Sequence, residues 1–137
     1  MDYITICEQQ LPIDEGIRQK PYRDSVGLLS IGIGRNLDGN GLSQDEIMYL
    51  FRNDLAVAAR DAKALVPSFN KLSEVRKAVL VNMVFNMGKA RVSAFTQTLK
   101  AIADENFNKA AEQMLASKWA TQVGARATRL AKMMREG

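Results

Sequence analysis

Residues 14–35 read DEGIRQKPYRDSVGLLSIGIGR, and the fold turns on how this stretch is parsed. Between Pro21 and Asn36, turn-forming residues cluster around Asp24 to Gly27 and a short alternating run follows, which is the pattern of a β-hairpin. Alternation predicts that Leu29, Ile31 and Ile33 face the core while Ser30, Gly32 and Gly34 form a face with almost no side-chain bulk. Such a face either lets a flat ligand approach the backbone or serves close packing and a bulge. Upstream, residues 3–11 can form a helix that Pro12 is expected to end or kink, because proline lacks an amide proton and clashes with the preceding turn. Asp14 and Glu15 then follow the break.

Downstream the period changes from two to 3.6. Ser43 and Glu46 form a capping-box pattern, and Ile47, Leu50, Phe51, Leu55, Ala58, Ala62 and Leu65 recur at helical spacing up to Val66, where Pro67 closes the helix. Residues 73–87 predict a helix apolar nearly all round, a central core helix with Gly88 as its C-terminal cap. Further helices are expected over 93–103, 107–116 and 125–135, the second of them started by Asn106. The reading is α+β and mostly helical, with a small N-terminal antiparallel β-hairpin lobe, a long connecting helix and a C-terminal helical lobe. One domain over 1–137 is expected, its β lobe at 13–42 and its helical lobe made of 1–12 and 43–137.

Composition limits the chemistry. The chain has no histidine, which removes the commonest general base and metal ligand and every Ser-His or Cys-His nucleophile pair, so acid–base work falls to carboxylates. Its single cysteine, Cys7, forms no internal disulfide and reads as a small apolar residue. No metal or cofactor is expected. Nineteen basic against fifteen acidic residues give a net charge of +4, which favours an anionic partner such as nucleic acid, lipid or cell wall. No segment has the apolar length of a membrane span, and the start MDYITICEQQLP lacks the parts of a signal peptide, so neither unaided export nor stable membrane insertion is expected.

The 14–35 segment resembles the active-site segment of glycoside hydrolase family 24, the T-even phage lysozymes and their endolysin relatives. The family pattern is Glu, Asp nine residues on and Thr six further, and Glu15, Asp24 and Ser30 stand at those spacings. VRKAVLVNMVFNMGKARVSAFTQTL (75–99) resembles the family's central helix and the one after it, and NKAAEQMLASKWATQVGARATRL (108–130) its C-terminal helices. Three ordered blocks make the match specific where a lone Glu–Asp spacing is weak.

Glycoside hydrolysis needs one carboxylic acid to protonate the leaving oxygen and a second carboxylate across the cleft. The resemblance implies Glu15 as general acid, Asp24 as the residue orienting the attacking water with inversion at the anomeric carbon, and the Ser30 hydroxyl as a further holder of that water. Serine keeps the oxygen but lacks the methyl that stiffens threonine's torsion. It also implies that Asp14 and Glu15 face Arg129 and Arg126 across the active site. Arginine favours the ionised carboxylate, so burial must offset that pull if Glu15 is to start protonated. Asn82 corresponds to a position beside Asp14 and reads as a satisfied buried amide. Arg35 replaces the histidine of the T-even member, whose aspartate partner corresponds to Asp54; an Arg35–Asp54 ion pair is expected, free of histidine's pH sensitivity. Gly34, Leu37, Phe85, Asn86, Thr98 and Gln113 correspond to sugar-contacting positions, although Phe85 equally suits the core. Trp119 reads as packing rather than a sugar platform.

The resulting expectation is an endolysin, a muramidase acting on bacterial peptidoglycan as a monomer. It would collect in the host cytoplasm until a separate membrane-permeabilising protein, a holin, lets it reach the periplasm and cell wall. Two rivals remain: a lysozyme-like protein that binds cell wall without cutting it, and a basic helical nucleic-acid-binding protein using Arg126, Arg129, Lys132 and Arg135. The second leaves the Glu15, Asp24 and Ser30 spacing unexplained, so no nucleic acid is expected as a partner.

Overall fold

Asp2 starts the first helix by accepting a 2.8 Å hydrogen bond from the Thr5 amide. In the computed structural model, which describes Met1–Gly137, that helix (α1, Tyr3–Glu15) runs through Pro12 rather than ending there. The proline forfeits one backbone bond near the end of the helix, and a further turn still closes, with the Gly16 amide donating to the Pro12 carbonyl at 3.0 Å. Gly16, at φ 78°, ends α1. Asp14 and Glu15 are therefore the last two residues of a helix, not part of a loop after it.

A three-stranded antiparallel sheet in the order β1-β2-β3 follows, with β1 at Arg18–Arg23, β2 at Leu29–Gly32 and β3 at Arg35–Asn36. Pro21 is tolerated within β1 because this strand lies at the sheet edge, and the register shifts between Arg18 and Tyr22. The expected face assignment is corrected. Ser30 is the buried residue of the sheet, 3% exposed, while Ile33 is 48% exposed and Leu29 and Ile31 are half-buried. Strand alternation stops at Gly32, so Ile33 belongs to the turn, and Ser30 sits mid-sheet opposite Tyr22 on one side and Asn36 on the other.

The capping box forms as expected at the start of α2 (Gln44–Leu65). The Glu46 amide donates to Ser43 Oγ at 3.2 Å, and the Ser43 amide donates to Glu46 Oε1 at 2.8 Å. Glu46 also takes the partner expected for Asp54. Arg35 Nη1 lies 2.7 Å from Glu46 Oε1 and Nη2 2.6 Å from Oε2, and Nη1 donates to the Gly41 carbonyl at 3.1 Å. Asp54 is exposed, so the cost of burying a lone carboxylate, which motivated pairing it, does not arise.

The remaining elements are α3 (Glu74–Met87), α4 (Lys89–Ser93), α5 (Thr96–Ala103), α6 (Phe107–Leu115), α7 (Lys118–Val123) and α8 (Ala125–Glu136), with a 3₁₀ turn at Phe69–Lys71. The helix expected over 93–103 is interrupted at Ala94 and Phe95, and α7, capped by Ser117, was not foreseen. Two compact units result, Met1–Tyr49 and Leu50–Gly137, so residues 1–12 group with the sheet rather than with the helices. The core of the second unit includes Leu80, Met83, Ile102, Met114, Leu130 and Met134, all at most 1% exposed. Only one face of α3 is buried, through Val79, Leu80, Met83 and Val84, whereas Phe85 is 43% exposed and Ala78 is exposed.

Arg76 of α3 ties down the end of the chain. Its guanidinium donates to the Met134 carbonyl at 2.8 Å and the Arg135 carbonyl at 3.0 Å, satisfying terminal acceptors of α8, and lies 3.6 Å from the Phe107 ring centroid. Arg76→Ala is expected to lower stability by about 2 kcal/mol, given the usual worth of charge-assisted hydrogen bonds, as read by denaturant unfolding.

The Arg35 hydrogen bond, followed by the Ser43 backbone and side-chain bonds, pulls the Glu46 carboxyl from 4.5 down to about 2. A depressed folded-state value contributes stability above the unfolded value, and the contribution is lost as pH falls through the folded one. Comparing wild type with Glu46→Gln in thermal melts, the wild-type advantage should hold from neutral pH to 4.5 and fade between 4.5 and about 2.

Candidate active site

Seven candidate residues fall in the first unit: Asp14, Glu15, Asp24, Ser30, Gly34, Arg35 and Leu37. Glu15 ends α1, and Arg18, where β1 begins, comes three residues later. Asp24 follows β1, Ser30 lies in β2, and Gly34 lies in the turn from β2 to β3.

The Glu15 carboxyl rests against Gly34. A Cβ built on Gly34 would stand 3.0 Å from Glu15 Oε2 and 3.3 Å from its Cδ. Gly34 also has φ +70°, a conformation L side chains rarely adopt, so position 34 needs glycine for both backbone and space. The exposed Glu15 carboxyl thus lies against the β2–β3 turn, not on the bulk-free strand face expected of the hairpin.

Asp24 builds the turn between β1 and β2. Its Oδ1 accepts from the Val26 amide at 3.0 Å and the Leu28 amide at 2.8 Å, while its backbone exchanges bonds with Leu28 and Gly27. These bonds fix the half-buried Asp24 carboxylate in one orientation on an exposed turn, with Oδ1 engaged by the backbone. Leu37 is half-buried, and its amide donates to the Leu29 carbonyl at 2.8 Å. Asp14 is exposed.

Two contributors were missed in the sequence. Asp38 accepts from the Leu29 amide at 2.8 Å and fastens the loop after β3 to β2, and Glu46 anchors Arg35. The signal for Glu46 was present, since the capping box already placed its carboxylate at the start of α2, eleven residues from Arg35.

In the second unit, half-buried Arg126 of α8 directs Nε and Nη2 onto Asn82 Oδ1 at 3.0 and 2.8 Å. Asn82 is thus hydrogen-bonded as expected, but half-buried rather than buried. Arg126 and Phe85 line a common cavity of about 360 Å³ with Phe51 and Leu55, and the Phe51 and Phe85 rings meet edge to face at 5.8 Å. Arg129 is exposed. Thr98, 3% exposed, and half-buried Gln113 line a separate cavity of about 290 Å³ with Phe95 and Ser117, so two of the expected sugar-contacting residues come together. Asn86 is engaged elsewhere, because its Oδ1 accepts the indole N–H of Trp119 at 2.8 Å. Trp119 is 3% exposed and meets Phe95 edge to face, which is the packing role expected of it.

Residues 13–135 match the family described as phage lysozyme. A probable T4-type lysozyme 2 of Dictyostelium discoideum is 29% identical over 163 positions, covering 98% of this chain and 96% of that protein. The pre-baseplate central spike protein Gp5 of Enterobacteria phage T4 is 29% identical across 94% of this chain, which corresponds to 27% of its own length. A SAR-endolysin of Bacteriophage PS34 is 27% identical over 73% of this chain and 60% of its own. With a carboxyl at a helix end against a glycine turn and the family match spanning almost every residue, the chain belongs to the phage lysozyme family and is a glycoside hydrolase, a muramidase.

Proposed function

We propose that the protein hydrolyses the β-1,4 bond between N-acetylmuramic acid and N-acetylglucosamine in bacterial peptidoglycan, with Glu15 as general acid. The observation carrying this reading is the placement of Glu15, the family's acid position, with its carboxyl against Gly34. In the proposed reaction Glu15 delivers its proton to the leaving oxygen. Asp24 and the Ser30 hydroxyl hold a water on the opposite face of the sugar ring, and its attack inverts the anomeric carbon. Asp24 suits this role because two backbone amides fix its orientation, leaving little of its position to chance. The cavity containing Thr98 and Gln113 supplies hydroxyl and amide groups suited to sugar hydroxyls. Asp14, Arg126 and Arg129 are proposed as supporting groups.

Biologically the reading is that of an endolysin in host lysis. It collects in the cytoplasm and reaches the wall once a separate holin opens the membrane. No helix here is long and apolar enough to cross a membrane.

Clearing of permeabilised Gram-negative cells or purified peptidoglycan tests the acid. Glu15→Gln should lower the rate by about 100-fold or more, the usual weight of a positioned general acid. Equal clearing by both proteins refutes the assignment, and no clearing by wild type favours a wall-binding role. The anomer released first, followed by NMR, tests inversion.

Gly34→Ala forces a β-carbon into a positive-φ turn and against Glu15 Oε2. It should lower stability by about 1–2 kcal/mol and reduce the clearing rate well beyond the loss of folded protein, read by thermal melts alongside the assay.

A further inference from the structure

Arg35 and Glu46 are 37% and 38% exposed at their side chains, and exposed ion pairs ordinarily add little to stability. This pair is nevertheless built with unusual completeness. Two guanidinium nitrogens meet two carboxylate oxygens at 2.7 and 2.6 Å, the Gly41 carbonyl takes a third bond at 3.1 Å, and Ser43 fixes the carboxylate from the other side at 2.8 Å.

Its location gives the completeness a purpose. Arg35 is covalently next to Gly34, the residue against which the exposed Glu15 carboxyl lies. β3 has only two residues, registered as Ser30 with Asn36 and Ile31 with Arg35, a short ladder for holding a turn in place. Glu46, by contrast, belongs to the first turn of a 22-residue helix.

We propose that the Arg35–Glu46 clamp is a positioning device for the hydrolase. By tying the β2–β3 turn to the start of α2, it holds Gly34 as the floor on which the Glu15 carboxyl is set. This rests on the reading of Glu15 as the acid. Neither clamp residue needs to touch substrate. They act through Gly34: the exposed Glu15 carboxyl leans on this turn, so drift of the turn takes away the surface it leans on.

The test measures kcat and KM on soluble peptidoglycan strands for Arg35→Ala, Glu46→Ala, the double variant, Ser43→Ala and Glu15→Gln. Each clamp variant should lose kcat by about tenfold to 100-fold, as expected for a misplaced catalytic group, with KM within about twofold of wild type. The double variant should be no worse than either single one, because both remove the same clamp. Arg35→Lys should recover only part of kcat, since an ammonium cannot reproduce the fork. Ser43→Ala removes the side-chain cap but keeps the Arg35 fork and the backbone amide on Glu46, so it should lower Tm and lose less kcat than Glu46→Ala.

Wild-type kcat in both single variants, a loss carried by KM, or additive losses in the double variant would overturn the proposal. If an alanine variant does not fold, Glu46→Gln and Arg35→Lys are judged by the same kcat and KM criteria. Glu15→Gln separates the two readings: its retaining activity removes the assigned acid, whereas its inactivity beside a fully active Arg35→Ala removes the clamp alone.

Discussion

The missing side chain at position 34 is the constraint around which the first unit is arranged. Glu15 can end a helix and still bring its carboxyl onto the sheet because Gly34 offers a bare α-carbon in a backbone conformation other residues resist. Neighbouring features converge on keeping that surface where it is. Gly16 turns the chain out of α1, Asp38 fastens the loop after β3 to Leu29, and Arg35 reaches from β3 to the start of α2. A carboxyl proposed as the acid needs its position set before substrate arrives.

How far the sequence could be read follows from the range of the forces involved. Local signals were legible: Ser43 with Glu46 at the start of α2, Gly88 after α3 and Asn106 before α6 all act within a few residues, and all three stand where expected. The helix through Pro12 was misjudged because one lost backbone bond near a helix end is a small local term that the remaining turn outweighs. Ser30 was placed on the wrong face because alternation tells apart two sides of a strand but not which side is covered. The Arg35 partner was misassigned for a similar reason. An ion pair depends on which carboxylate the loop geometry presents, and the resemblance supplied a histidine's partner to a longer, forked side chain.

In the second unit, polar side chains at the edge of the core have partners that sequence spacing could not identify. Asn82 receives Arg126 and Asn86 receives Trp119, both from α3 to residues more than thirty positions later. Each asparagine oxygen satisfies a donor that would otherwise be costly to shield from water. An amide oxygen at position 86 thus serves the packing of the helices, while the residue itself stays exposed.

The Trp119 environment also has a consequence for observation. Trp119 is the sole tryptophan and lies in the second unit, while the three tyrosines, Tyr3, Tyr22 and Tyr49, all fall within the first. Each compact unit therefore carries its own chromophore class. Indole emission, excited at the red edge where phenols do not absorb, follows the helices alone, and the phenol signal follows the unit that holds Glu15. The molecule is optically labelled by its own sequence: half-buried Tyr22 in β1 reports on the sheet, and buried Trp119 reports on the helical core.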